Sequence, residues 1–213
     1  FELMRGVETQ LIAHSPTITT SVSCSTLSSM PTVSTDLSLD KRKKLILDLD
    51  ETLVHSSFTK PEHCDFVVPV KYQGVSYDIY VQKRPGVDQF LEQLTKHFEI
   101  FIFTASMAEY SVPIVKTLMP DFPSSNILSR QHCRFFQGTF VKDLSIFNCQ
   151  LSDIVIVDNS SCSYCLQPQN GIPVKTWTGD TSDSELLAMT LPFLLKCREY
   201  DDVRSYISSS LIC

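Results

Sequence analysis

No apolar run in this 213-residue chain approaches the roughly 18–20 residues of a membrane-spanning helix. No helical span is therefore expected within it. Positive charge is not in excess either: 18 Lys and Arg stand against 24 Asp and Glu, a net charge of −6. Broad nucleic-acid binding needs a basic face, so no direct nucleic-acid partner is expected, while a local basic pocket for a phosphorylated group fits this balance. There is no internal repeat. Cys162-x-x-Cys165 has no second such pair to complete a four-ligand zinc site. The 8 cysteines are scattered (Cys24, Cys64, Cys133, Cys149, Cys162, Cys165, Cys197, Cys213). A domain of this size needs no disulfides, so reduced thiols are expected, in the nucleus or the cytoplasm. The first residue is Phe1 and not Met, which reads as a piece of a longer chain and leaves an upstream signal or anchor open.

What is present suits one domain and a tail. Residues 1–40 are rich in Ser and Thr and poor in charge and aromatics, a composition that buries little apolar surface. They read as a flexible tail, and residues 41–213 as the domain. Lys41-Arg42-Lys43-Lys44 reads as the solvated lead-in to a strand. Leu45-Ile46-Leu47, Glu99–Phe103 and Asp153–Val157 are short apolar runs of the kind a parallel sheet buries on both faces. Residues 66–70 and 75–83 read as a hairpin turning near Gly74. Pro85 opens a helix bearing Val87, Phe90, Leu91, Leu94 and Phe98, and another helix spans about 107–119. Ile172–Trp177 reads as a shorter strand. Ser182-x-x-Glu185 reads as a capping box ahead of a helix carrying Leu186, Leu187, Leu191, Leu194 and Leu195. Alternating strands and helices predict an α/β fold around a mostly parallel sheet.

The three buried runs end in polar residues: Asp48 and Asp50, then Thr104, then Asp158 and Asn159. Open α/β sheets bind ligands beyond the carboxyl ends of their strands, so these residues are expected to share one site. Asp48, Asp158 and Asn159 are hard oxygen ligands suited to Mg²⁺, and carboxylates this close need a cation. Asp48 is then a candidate nucleophile toward phosphorus, and Asp50 a candidate acid and base. Thr104 offers a hydroxyl and, with Ala105, backbone N–H groups to a phosphate; Lys142 offers a fixed positive charge. Each piece alone has a plainer reading: Asp-x-Asp is commonly a solvated turn, a strand-ending Thr a helix cap, a lone Lys a surface charge. Their order and their shared placement at strand ends argue for a site.

Leu45-Ile46-Leu47-Asp48-Leu49-Asp50-Glu51-Thr52-Leu53-Val54-His55-Ser56 resembles the signature of the haloacid dehalogenase superfamily. More narrowly it resembles the small phosphatases acting on the C-terminal domain of RNA polymerase II. Lys83-Arg84-Pro85, Phe103-Thr104-Ala105-Ser106, Val141-Lys142-Asp143-Leu144-Ser145 and Asp158-Asn159-Ser160 extend the match over about 42–207. The resemblance implies a haloacid-dehalogenase-like (Rossmann-like) sheet flanked by helices, a short β insertion at about 57–82 and no large cap domain. It implies a Mg²⁺-dependent serine/threonine phosphatase working through an aspartyl-phosphate, with a phosphoprotein as partner and a monomeric chain. Asp48 is implied as nucleophile and Asp50 as acid/base, with Thr104 and Lys142 on the phosphate. Asp48, Asp158, Asn159 and the Asp50 carbonyl are implied around Mg²⁺. Arg130 matches an arginine that contacts the substrate peptide. Phe58, Val70, Tyr72, Ile79, Met107 and Tyr110 match an apolar pocket that holds a substrate proline. Ser161 departs from the usual proline. Arg130-Gln131-His132-Cys133 and Asp201-Asp202-Val203-Arg204-Ser205 look closer to the Dullard branch, which sits at the nuclear envelope and acts on a lipin-type protein. A small-molecule phosphatase of the same superfamily is the remaining alternative. Near the implied site, His132 reads as a surface histidine that could steer substrate, and Cys133 as a small buried residue that could sense oxidants if its thiol were acidified.

Overall fold

A computed structural model describes residues 42–210. The Ser/Thr-rich stretch 1–40, Lys41, Cys24 and Cys213 lie outside them. Five parallel strands form the central sheet: β1 (Lys44–Leu47), β5 (Glu99–Phe103), β6 (Ile127–Leu128), β9 (Ile154–Asp158) and β10 (Gly171–Pro173), in the order β10-β9-β1-β5-β6. Successive residues of a strand face opposite sides, so each apolar run feeds two cores. Leu45, Leu47, Ile100, Ile102, Val155 and Val157 fill one side. Ile46, Phe101, Phe103, Ile154 and Ile156 fill the other.

The chain winds from β1 through β5 to β6 on one side, then returns to place β9 and β10 on the other. The strand order therefore reverses at β1. Leu47 is in register with both Ile102 and Val157, so the residues leaving β1, β5 and β9 emerge side by side at the same edge.

A second, antiparallel sheet follows the first motif: β2 (Val54–Ser57), β3 (Phe66–Tyr72) and β4 (Val75–Lys83), with β4 in the middle. Pro69 is tolerated because β3 is an edge strand. This excursion is a small sheet and not a separate cap domain. Helix α1 (Val87–Thr95) buries Val87, Phe90, Leu91 and Leu94. It starts two residues past Pro85, at a left-handed Gly86 (φ 79°), where a Cβ would lie 2.5 Å from Leu187. Helix α2 (Ala108–Leu118) follows β5 and packs against β3. No helix among the described residues is long and apolar enough to cross a membrane.

Two local expectations differ. The strand expected over Ile172–Trp177 ends at Pro173. Beyond it the chain bends over the first-motif loop, where the Trp177 N–H donates to the Glu51 carbonyl at 2.8 Å. The capping box expected at Ser182/Glu185 is absent. Ser182 donates through N and Oγ to Asp180, while Glu185 takes the Lys175 N–H at 3.1 Å and the Arg84 guanidinium at 3.2 Å. The apolar segment then opens as a π-helical turn, Leu186–Thr190, before α3 (Leu191–Cys197); α4 (Val203–Ser210) closes the described chain. A capping box does form elsewhere, between Ser129 and His132.

Candidate active site

At the edge where β1, β5 and β9 end, Asp48, Asp50, Thr104, Ala105, Lys142, Asp158 and Asn159 line one cleft of about 190 Å³. The topology accounts for the convergence: a reversal of strand order leaves a crevice that no helix fills. A larger cavity of about 420 Å³ lies between α1 and the end of α2, lined mostly by apolar side chains such as Leu91, Leu118 and Phe122. Its acidic residues Asp88 and Glu92 are paired with Lys83 and Lys96, so no group there is poised for chemistry.

One half of the cleft is ionic. The Lys142 ammonium, buried to 1% exposure, donates to Asp48 Oδ1 and, at 2.6 Å, to Asp158 Oδ2. Burial raises the Asp48 carboxyl above its ordinary value, and Asp158's charge adds to this against the pull of Lys142. Burial alone would lower the Lys142 ammonium, but Asp158 and Asp48 outweigh it and hold it above its usual range. Both directions have one cause: two buried carboxylates share one cation. Asp158 Oδ1 also accepts the Ser160 N–H at 2.8 Å.

The other half is built of hydroxyls. Asp50 Oδ2 accepts from Ser106 Oγ at 2.7 Å and from Thr104 Oγ1 at 3.1 Å, and Asp50 Oδ1 accepts from the Tyr110 hydroxyl. Thr104 Oγ1 in turn accepts the Ser106 N–H at 3.0 Å. The Thr104 hydroxyl, expected to point a proton at phosphate, donates it to Asp50. Ser106 was named only as part of a motif. Nothing short of the folded helix start could show it 2.7 Å from Asp50.

Glu51 has a left-handed backbone (φ 60°), and the tight turn it allows brings Thr52 back over Asp48. Thr52 Oγ1 donates to Asp48 Oδ2 at 2.8 Å and lies 3.4 Å from Asn159 Oδ1. Asp48 and Asn159 thus point oxygens at one hydroxyl. Arg84, 1% exposed, anchors this turn: it donates to the Thr52 carbonyl at 3.2 Å and clamps Asp183 with two bonds of 2.9 Å. The sequence showed Arg84 only as a motif letter, because its partners lie about a hundred residues away.

The oxygens suit a hard divalent cation. Asp48, Asp50 and Asp158 surround one ammonium, which leaves carboxylate charge in excess, and Asp48 Oδ2 and Asn159 Oδ1 converge. No three His, Cys, Asp or Glu side chains among the described residues form a ready cage. Mg²⁺ does not ask for one, since it takes one or two carboxylates and keeps several waters.

The residues expected around a substrate divide. Arg130 Nε donates to the Ala105 carbonyl at 2.7 Å, at the cleft wall. Val70, Ile79 and Tyr110 are buried in the core, so they offer a ligand no side-chain surface. Tyr110 instead holds Asp50. Phe58, Tyr72 and Met107 are half-buried, with Phe58 edge-on to Tyr77. His132 accepts the Ser129 N–H at 3.1 Å as a turn cap. Burial pushes the Cys133 thiol up to about 11, which agrees with the small-apolar reading and not with a reactive thiolate. Cys162 and Cys165 are exposed free thiols.

Comparison with known proteins agrees with this geometry. The chain is 44% identical over 170 residues to the CTD small phosphatase-like protein of Homo sapiens, covering 79% of this chain and 61% of that protein. It is 45% identical over 166 residues to CTD small phosphatase-like protein 1 of Caenorhabditis elegans, covering 78% and 34%. It thus spans less than two thirds of these relatives. The structure of fission yeast RNA polymerase II CTD phosphatase Fcp1 bound to beryllium fluoride shares the fold. Its TM-score is 0.55 at 21% identity, covering 79% of this chain and 54% of that one. Residues 43–204 match the NLI interacting factor-like phosphatases, and the chain belongs to that family.

Proposed function

We propose that this protein is a Mg²⁺-dependent phosphatase of phosphoserine or phosphothreonine in proteins, with Asp48 as the nucleophile. The observation that carries the reading is a pair of carboxylates two residues apart in opposite environments, one ion-paired and one held by hydroxyls. A nucleophile and an acid/base need such a difference.

Asp48 attacks phosphorus through a carboxylate oxygen, and the bond to the serine oxygen breaks as Asp50 donates a proton to it. Asp50, now a carboxylate, takes a proton from water, which attacks the aspartyl-phosphate and frees Asp48 and inorganic phosphate. Lys142 keeps positive charge beside the transferring group throughout. Tyr110, Ser106 and Thr104 hold Asp50 in one orientation for both proton transfers. Asp48, Asn159, Asp158 and the Asp50 carbonyl would hold Mg²⁺, which supplies charge to accept a phosphate dianion. Phosphomonoester hydrolysis is among the slowest uncatalysed reactions, needing accelerations of up to ~10²¹-fold, so a preorganised charged cleft suits it.

The substrate reading, phosphoserine near proline such as in the RNA polymerase II C-terminal domain, is supported by the names of the relatives and by a cleft without a cap domain over it. Asp48→Asn should reduce hydrolysis of p-nitrophenyl phosphate by about 10⁴-fold or more, and removing Mg²⁺ with a chelator should match it. Retained turnover in the variant would sink the nucleophile assignment, and chelator-resistant turnover the metal.

A further inference from the structure

Beside the cleft stands a hairpin, β7 (Arg134–Phe136) and β8 (Thr139–Val141). Gln137 and Gly138 join the strands with φ of 49° and 81°, a tight two-residue turn that fixes the register. That register sets Phe135 directly opposite Phe140. Their rings meet edge to face, with centroids 5.4 Å apart. Phe140 lines the catalytic cleft, so Phe135 lies one ring farther out along the same wall. Phe135 is nevertheless 67% exposed.

An exposed ring one stacking distance from a reaction site needs an occupant, and the surroundings state its chemistry. The Arg130 guanidinium sits over Phe140 at 5.0 Å. Arg134, half-exposed, lies at the start of the hairpin and faces Asp143 at 3.6 Å. Lys142 follows β8. This is a locally basic strip on a chain of net charge −6. It suits a phosphorylated or acidic peptide and suits no acidic-groove binder. The alternative apolar surface, on the β2–β4–β3 sheet, has its central residues Val70 and Ile79 withdrawn into the core.

We propose that Phe135, supported edge-on by Phe140, determines specificity: it docks a flat side chain, proline or aromatic, carried by the phosphopeptide next to its phosphorylated residue. Rings prefer such faces, and a peptide crossing the cleft in extended form presents alternate side chains to the hairpin. The proposal rests on the phosphatase reading only in taking a phosphopeptide as the ligand.

The test uses the full chain and peptides of alanine around a non-hydrolysable phosphonate analogue of phosphoserine. A single Trp or Pro is placed in turn at each of the four positions on either side, and binding is read by fluorescence anisotropy. At one position the ring should tighten binding about tenfold over alanine. Phe135→Ala should remove that preference, and Phe135→Trp should restore it. An unchanged preference in Phe135→Ala would overturn the proposal, as would its loss in Met107→Ala alone, which would move the ring to the other sheet. The absence of any preferred position would overturn it too. Hydrolysis of p-nitrophenyl phosphate by the unaltered protein, measured alongside, reports on the phosphatase reading separately: a failure there leaves the peptide preferences standing or falling by themselves.

Discussion

Asp48 and Asp50 lie two residues apart and meet two different kinds of neighbour. Asp48 is set among charges, with Lys142 between it and Asp158. Asp50 is set among neutral donors from β5 and α2. A residue of β1 that faces β9 receives the ionic partners, and one beyond the strand's end, turned toward the start of α2, receives the hydroxyls. The difference teaches that one short motif can hold two unlike roles when the elements on its two sides carry unlike chemistry. An ion pair stabilises charge that is present throughout a reaction. Neutral hydroxyls hold a carboxyl in place and let it gain and lose a proton.

The contrast has a kinetic signature, because only the Asp50 half should respond to the leaving group. Asp50→Asn should lower turnover of a phosphoserine peptide by up to about 10⁴-fold. It should cost far less on p-nitrophenyl phosphate, whose leaving oxygen needs little proton help; equal losses on both would remove the division of labour. Lys142→Met should lower turnover by about 10²–10³-fold, to a similar extent whatever the leaving group. A loss that grew with leaving-group basicity would put Lys142 in the proton transfer instead. Tyr110→Phe deletes one donor to Asp50 and should cost roughly tenfold, the scale of one hydrogen bond to a charged group. Its cost should rise with leaving-group basicity as for Asp50→Asn, with KM little changed. A rise in KM for the peptide alone would return Tyr110 to the substrate pocket that the family resemblance assigned it.

Much of the site was legible as letters. Asp48, Asp50, Thr104, Lys142, Asp158 and Asn159 could be named because strand ends are marked by a change from apolar to polar residues, and the cleft indeed gathers them. What could not be read was which atom each would hold. Thr104 keeps a strand-end position but donates to Asp50, because Asp50's carboxylate lies nearer than any other acceptor the turn allows. Tyr110 has the look of a pocket aromatic, yet its hydroxyl finds a charged partner once the first turn of α2 stands over β1. Ser182 and Glu185 have capping-box spacing, but the buried Arg84 outbids a local N–H for Glu185. Propensity acts over a few residues, and burial of a charge overrules it.

The order of apolar runs and carboxylates along the chain was enough to determine a parallel α/β sheet and an acidic site at its edge. Alternation over two faces and polar strand ends are written residue by residue. The pairing of Lys142 with two aspartates, the trio of hydroxyls on Asp50, the Arg84 clamp and the exposure of Phe135 were decided only by tertiary structure. Each depends on distances between residues brought together from remote parts of the chain, and those distances exist only after the sheet has closed.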